Sequence, residues 1–250
     1  MKSIRLGDKS AQQEDEETLI KTVDDMIVTA RGGEVTILNN ELEELVHTCF
    51  DVRSFTSIDA NEQYIALAKG YSVVLIDLCE TQGGSAWTKK FNTDGLINSL
   101  TMDDETMLAI ANNKYVHVRD METDKETFRL KHCDTVTCVA FHSDLIISSS
   151  ANTVHIWDKS TGQLRHSLEH DGNCYNFDIS PNGEFLVVAH YHGLTIWSFA
   201  EDYYLPEYEK FADVDLADVR DARFQTNYEI VAGCHDRNIW LINFCSYYPR

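Results

Sequence analysis

The stretch TVHIWDKSTGQ, Thr153 to Gln163, alternates apolar and polar residues, reaches Trp157-Asp158 and stops at a Lys-Ser-Thr-Gly turn. It does not stand alone. Segments of the same form end at Asn39 (EVTILN), Asp77 (SVVLID), Asp120 (YVHVRD), Asp158 (TVHIWD), Ser198 (LTIWS) and Asn243 (NIWLIN). These ends are spaced by about 38, 43, 38, 40 and 45 residues, so the chain is a series of six repeats of near-constant length. One Trp-Asp pair constrains little; a period held along the chain constrains the whole architecture.

Within each repeat an apolar strand precedes the matched one across a tight polar turn, as in YIALAKG, MLAIANN and FLVVAHYHG, which is the signature of a hairpin. Most repeats add a strand before the hairpin (FTSIDA, INSLTMD, VTCVAFH, YNFDIS, VRDARF), and a more polar one follows it (ELVHT, AWTKKF, ETFRLK, QLRHSL, YEKFA). Apolar inner strands and a polar outer strand suit radial sheets whose outer edges meet water. With three prolines and no apolar period of 3.6 residues, almost no helix is expected. The predicted fold is all-β: a single β-propeller of about six four-stranded antiparallel blades.

The best repeat, HCDTVTCVAFHSDLIISSSANTVHIWD, resembles the WD-repeat β-propeller family from His132 to its closing Trp157-Asp158. In that family a leading His, a Ser or Thr on the second strand, an Asp in the following turn and the Trp form a buried hydrogen-bonded set. The resemblance assigns these roles to His132, Ser148 and Trp157, but Ala151 stands where the Asp belongs, so the His lacks its acceptor. The next repeat keeps His170 and Trp197 with Ser198 in place of Asp, and the first, second and sixth have Leu38, Ile76 and Ile242 at the Trp position. These are divergent repeats, with units at about 18–49, 54–91, 97–131, 132–169, 170–212 and 213–250. The sixth has no room for a fourth strand after NIWLIN. KSIRL, Lys2 to Leu6, has strand-like alternation, and in this family the chain ends commonly share a blade. Residues 1–17 are therefore expected to supply a closing strand and an acidic tether.

Composition limits the functions. A formal net charge of −20 repels phosphate backbones and anionic lipid, so neither nucleic acid nor membrane is an expected partner. No apolar run approaches a membrane span and the first residues lack a secretory apolar core, which places the chain inside the cell, in cytoplasm or nucleus. Seven cysteines without a C-x-x-C pair read as reduced thiols. No nucleophile elbow, phosphate loop or H-E-x-x-H motif occurs. His190-Tyr191-His192 and Cys234-His235-Asp236 occupy equivalent turns of adjacent repeats and are the one conceivable zinc constellation, but exposed turns collect such residues for ordinary polar reasons, and no metal or cofactor is expected.

The resemblance implies a non-catalytic scaffold that holds a protein or peptide on one face, as a monomeric subunit of a larger complex. The alternatives are the substrate-recognition propeller of an F-box-type ubiquitin ligase complex, with the ligase link on another chain, and a propeller enzyme. The turns between second and third strands, which the family's architecture places on one face, hold Arg31, Lys69, Lys114 and Arg237, with His190, His192 and His235 alongside and Tyr71 and Tyr191 as aromatic neighbours. This set is expected to receive an acidic or phosphorylated segment. The connections between repeats put Asp51, Asp94, Asp134, Asp171, Asp213 and Asp215 on the same face, so its signs are mixed. A second candidate interface is the aromatic loop DYYLPEYEK, with Tyr203, Tyr204, Leu205 and Tyr208.

Overall fold

A computed structural model describes residues 18–23, 26–49, 55–78, 87–199 and 208–244. They form six antiparallel sheets in chain order, the blades of a β-propeller, and contain no helix. Blade 1 comprises Thr18–Val23, Met26–Arg31, Glu34–Asn39 and Glu44–Cys49; blade 2, Ser57–Ala60, Tyr64–Lys69, Ser72–Asp77 and Trp87–Asn92. Blade 3 comprises Ile97–Met102, Met107–Asn112, Tyr115–Asp120 and Lys125–Lys131; blade 4, Val136–His142, Leu145–Ser150, Thr153–Asp158 and Leu164–Glu169. Blade 5 comprises Cys174–Ile179, Phe185–His190, Gly193–Ser198 and Lys210–Asp215. Blade 6 has three strands among the described residues, Val219–Thr226, Glu229–Cys234 and Ile239–Asn243, and its last strand exposes Ile239, Trp240 and Leu241. The closing strand expected within residues 1–17 lies outside the described residues. The strand Thr18–Val23 was not singled out in the sequence: TLIKTV alternates, but its partly buried pattern is weaker than that of the hairpin it precedes.

The chain divides into two compact units, residues 1–55 with blade 1 and residues 56–250 with blades 2 to 6. In the second unit, alternation explains why the second strands read as continuous apolar runs. A strand sends successive side chains to opposite faces, and in blades 3 to 5 each face is covered by a neighbouring blade. Leu108 and Ile110 of blade 3 pack with Ala66, Ala68 and Leu75 of blade 2. Their neighbours in sequence, Ala109 and Ala111, pack with Val139 and Ile146 of blade 4. Ile147 of blade 4 meets Leu186 and Val188 of blade 5, while Val187 and Ala189 meet Ile230 and Ala232 of blade 6. Each large side chain buried this way contributes about 1.5–3 kcal/mol.

Polar links lock the same interfaces. Asp59 on the first strand of blade 2 accepts the Met102 N–H (2.8 Å) and the Thr101 hydroxyl (3.0 Å) of blade 3. Asp178, at the corresponding place in blade 5, accepts the Phe224 N–H of blade 6 at 2.8 Å. Lys159, in the turn after the third strand of blade 4, reaches the nearly buried Asp103 of blade 3 at 2.6 Å.

Candidate functional site

The hairpin registers leave two-residue turns between second and third strands: Gly70-Tyr71, Asn113-Lys114, Ala151-Asn152 and Tyr191-His192 in blades 2 to 5. Each turn accepts hydrogen bonds from the connection that leads into the next blade. Ile97 N–H donates to Gly70 O and Thr93 N–H to Tyr71 O; Val136 N–H donates to Asn113 O and His132 N–H to Lys114 O. Cys174 and His170 repeat the pattern on Ala151 and Asn152, and Asp218 donates to Tyr191 O at 2.9 Å. The turns of blades 2 to 5 and the connections following them therefore share one face with fixed spacing. Blade 6 has a longer loop, Cys234 to Asn238, whose His235 N–H donates to Asp218 O.

The sequence-selected residues are distributed unevenly over these turns. Tyr71 and Tyr191 are each 55% exposed, and Lys114, His192, His235 and Arg237 are also exposed. Lys69 is partly covered. The Lys114 ammonium donates to Cys133 O at 2.7 Å, so part of its bonding capacity is spent within the fold. His190 corrects the sequence reading: it is 4% exposed, stacks on His170 at 5.4 Å and bonds Thr195 Oγ1 at 3.0 Å. Its ring supports the turn from below, because it ends a strand whose side chains are all buried. Arg31 is exposed at the end of the second strand of blade 1.

A cavity of about 400 Å³ opens on this face between blades 5 and 6, lined by Tyr191, His192, Asp215, Leu216, Ala217 and Asp218. Asp218 Oδ2 accepts from Arg220 at 2.8 Å, with His235 Nδ1 3.9 Å away, while Oδ1 is buried with no hydrogen-bond partner. The exposed Asp215 carboxylate is the acid that the cavity presents to solvent. The cavity thus suits a cationic or hydrogen-bond-donating side chain, with the exposed Tyr191 ring as a wall.

In blade 4, Ser148 Oγ accepts from Trp157 Nε1 at 2.8 Å and bonds His132 Nε2 at 2.7 Å, all three residues being buried. His132 Nδ1 has no partner, as the replacement of the turn acid by Ala151 implied. Burial, and then neighbouring His155, lower the His132 pKa to about 4. Asp158 organises the next turn, accepting from Ser160, Thr161 and Arg165; its pKa is held well below the usual carboxylate range, first by Ser160 and then by Arg165. Residues 124–158, which contain this set, match the family described as "WD domain, G-beta repeat". The chain carries a WD repeat within a β-propeller fold. A chain of the solved "Crystal Structure of Mitotic Checkpoint Complex" superposes on it with a TM-score of 0.78 at 15% identity, over 93% of this chain and 76% of that one. At that identity the likeness speaks for the fold alone. No curated protein matches the sequence.

Other blades of the propeller replace the Ser-centred set. In blade 5, Val188 stands at the place of Ser148, and in consequence Trp197 Nε1 and both ring nitrogens of His170 are buried without partners. A different chain appears instead: Thr195 Oγ1, bonded to His190, donates to Asp213 at 2.8 Å, and Asp213 is paired with Lys210. Blade 3 repeats that second pattern with other residues. His117 bonds Asn112 Oδ1 through Nε2 (3.0 Å) and Glu126 through Nδ1 (2.7 Å), Arg129 holds the other Glu126 oxygen, and Asn112 donates to Asp94. This histidine–carboxylate pair borders a cavity of about 200 Å³. Thr93, which also lines it, directs its hydroxyl to the backbone, at Gly95 O (2.8 Å) and Tyr71 O (3.1 Å).

Tyr203, Tyr204 and Leu205 lie outside the described residues. Tyr208 stacks on His166 at 5.0 Å and packs on Phe199, covering the blade rather than projecting from it. The five described cysteines are free thiols, and burial pushes Cys174 up to about 12. No helix of the described residues could cross a membrane. His190, His192, Cys234 and His235 do not converge on a common point; among the described residues a different trio does, Glu34, His47 and Cys49.

Proposed function

We propose that this propeller is a non-catalytic scaffold that binds a protein or peptide segment across the turns of blades 2 to 6, within a larger complex. The observation that carries the reading is the acid-lined cavity beside Tyr191, in a face whose turns are held rigid by the following connections. Preformed backbone leaves the entropic cost of association mainly to the partner. The exposed Asp215 carboxylate favours a lysine or arginine side chain of that segment, and the overall charge of −20 steers a basic partner inward. The segment expected from the sequence, acidic or phosphorylated, would instead rely on Lys69, Lys114 and Arg237.

Quantitative affinity purification from cell extract separates these. Tyr191→Ala and Asp215→Lys should each deplete the same co-purifying proteins at least tenfold, about 1.4 kcal/mol, while melting like the parent. If only Lys69→Glu with Lys114→Glu depletes them, the partner is acidic. If none of these changes alters recovery, this face is not the interface.

A further inference from the structure

The outer half of blade 1 holds a set of ligand-type side chains that the scaffold reading does not use. The register pairs Glu34 with Cys49 and Thr36 with His47 across the third and fourth strands. Because side chains alternate along a strand, these four residues share one side of the sheet, while Val35 and Ile37 are buried on the other. The exposed side is polar and converges: His47 lies 3.5 Å from Cys49 Sγ through Nε2 and 3.1 Å from Thr36 Oγ1 through Nδ1. One ligand atom each from Glu34, His47 and Cys49 all lie within 4.8 Å of one another.

We propose that Glu34, His47 and Cys49 form a zinc-type metal site, with an open fourth position for water or a group from outside the chain. Around a tetrahedral Zn²⁺ a sulfur at about 2.3 Å and a nitrogen at about 2.1 Å stand roughly 3.6 Å apart, close to the 3.5 Å between His47 Nε2 and Cys49 Sγ. Glu34 needs an inward movement of roughly 1 Å, within the reach of an exposed three-torsion side chain. Thr36 does the work of an outer partner: an Nδ1–H donated to its hydroxyl fixes the tautomer that leaves the Nε2 lone pair facing Cys49. A thiolate, an imidazole and a carboxylate together select a borderline metal over Mg²⁺ or Ca²⁺, whose sites are built from oxygen. Binding releases the Cys49 thiol proton to solvent, and the negative net charge favours the cation's approach.

The test uses the reduced full-length protein and Co²⁺ as spectroscopic probe. Titration should saturate at one equivalent with a thiolate-to-cobalt charge-transfer band, and Zn²⁺ should displace it. Cys49→Ser and His47→Ala should abolish the band, Glu34→Gln should weaken binding at least tenfold, and Thr36→Val should weaken it about tenfold while keeping the band. Cys133→Ser, which removes another exposed thiol, should change nothing. Melting curves establish that each variant is folded. Absence of saturable binding, or a band that survives Cys49→Ser or His47→Ala, overturns the site.

Discussion

Blades 4 and 5 offer opposite experiments at one structural position. Ser148→Val removes the oxygen that serves Trp157 Nε1 and His132 Nε2, at a site with no solvent access. His132 then has no partner at either nitrogen. Two buried groups left unsatisfied cost about 1–3 kcal/mol each, and the added methyl groups recover at most about 1–2 kcal/mol where they fit. The net loss is about 2–4 kcal/mol, which lowers the melting temperature by roughly 5–15 °C in a domain of this size. Val188→Ser is the reverse: it forfeits about 1–2 kcal/mol of apolar burial but offers an acceptor to Trp197 and a partner to His170, both now without one. Its net effect should lie between neutral and about 2 kcal/mol stabilising. Calorimetry of the two variants, each against the parent, measures the contrast. If both destabilise by similar amounts, the position reports only steric fit and the hydrogen-bond account is wrong.

Other expectations are of the same kind. Ala151 has φ +50°, a conformation that disfavours alanine; Ala151→Asp suits that backbone better and offers an acceptor toward His132 Nδ1, so the melting temperature should rise by a few degrees. His132 and His170 have folded pKa values lowered to about 4 from 6.5, mainly by burial. The unfolded chain therefore binds these protons first, and the stability they lend is intact above pH 6.5 and falls as pH drops from 6.5 toward 4. His170→Phe should make melting temperature less pH-dependent across that window, and an unchanged slope would remove His170 from the account. Deleting residues 1–7 tests the closing strand expected from the sequence: if it covers Ile239, Trp240 and Leu241, the truncated chain should melt several degrees lower and associate, whereas an unchanged monomer refutes it.

Repeat length and the second strands were legible in the sequence because six hairpins with apolar second strands at a near-constant period admit few folds, and burial on both faces makes runs such as YIALA and FLVVA almost unbroken. The Ser-centred set of blade 4 was legible for the same reason that its gap was: Ser148 and Ala151 occupy defined places in a hairpin. The second polar pattern was not. Asn112, His117 and Glu126 in blade 3, and His190, Thr195 and Asp213 in blade 5, are linked through an outer strand whose charged residues look solvent-facing from sequence alone. A histidine at a strand end can turn either way, and His190 lies inward, stacked on His170 and bonded to Thr195. The acid-lined cavity depends on Asp215 and the connection through Asp218 folding back beside the Tyr191 turn of the same blade, a juxtaposition no local pattern encodes.

The alternation of large and small side chains along the second strands makes the repeats non-interchangeable. Blade 3 turns Leu108 and Ile110 toward the small Ala66 and Ala68, and its own Ala109 and Ala111 toward Ile146. Transposing blades 3 and 4 would instead press Ile147 against Leu108 and Ile110, and would set Ala109 and Ala111 against Leu186 and Val188. Such a rearranged gene would retain every turn and every hairpin yet meet mismatched volumes at successive interfaces, in an interior that tolerates neither void nor excess. Though the chain reads as a series of like units, its order is written between them, and duplication or shuffling of a unit would have to be followed by repacking on both sides.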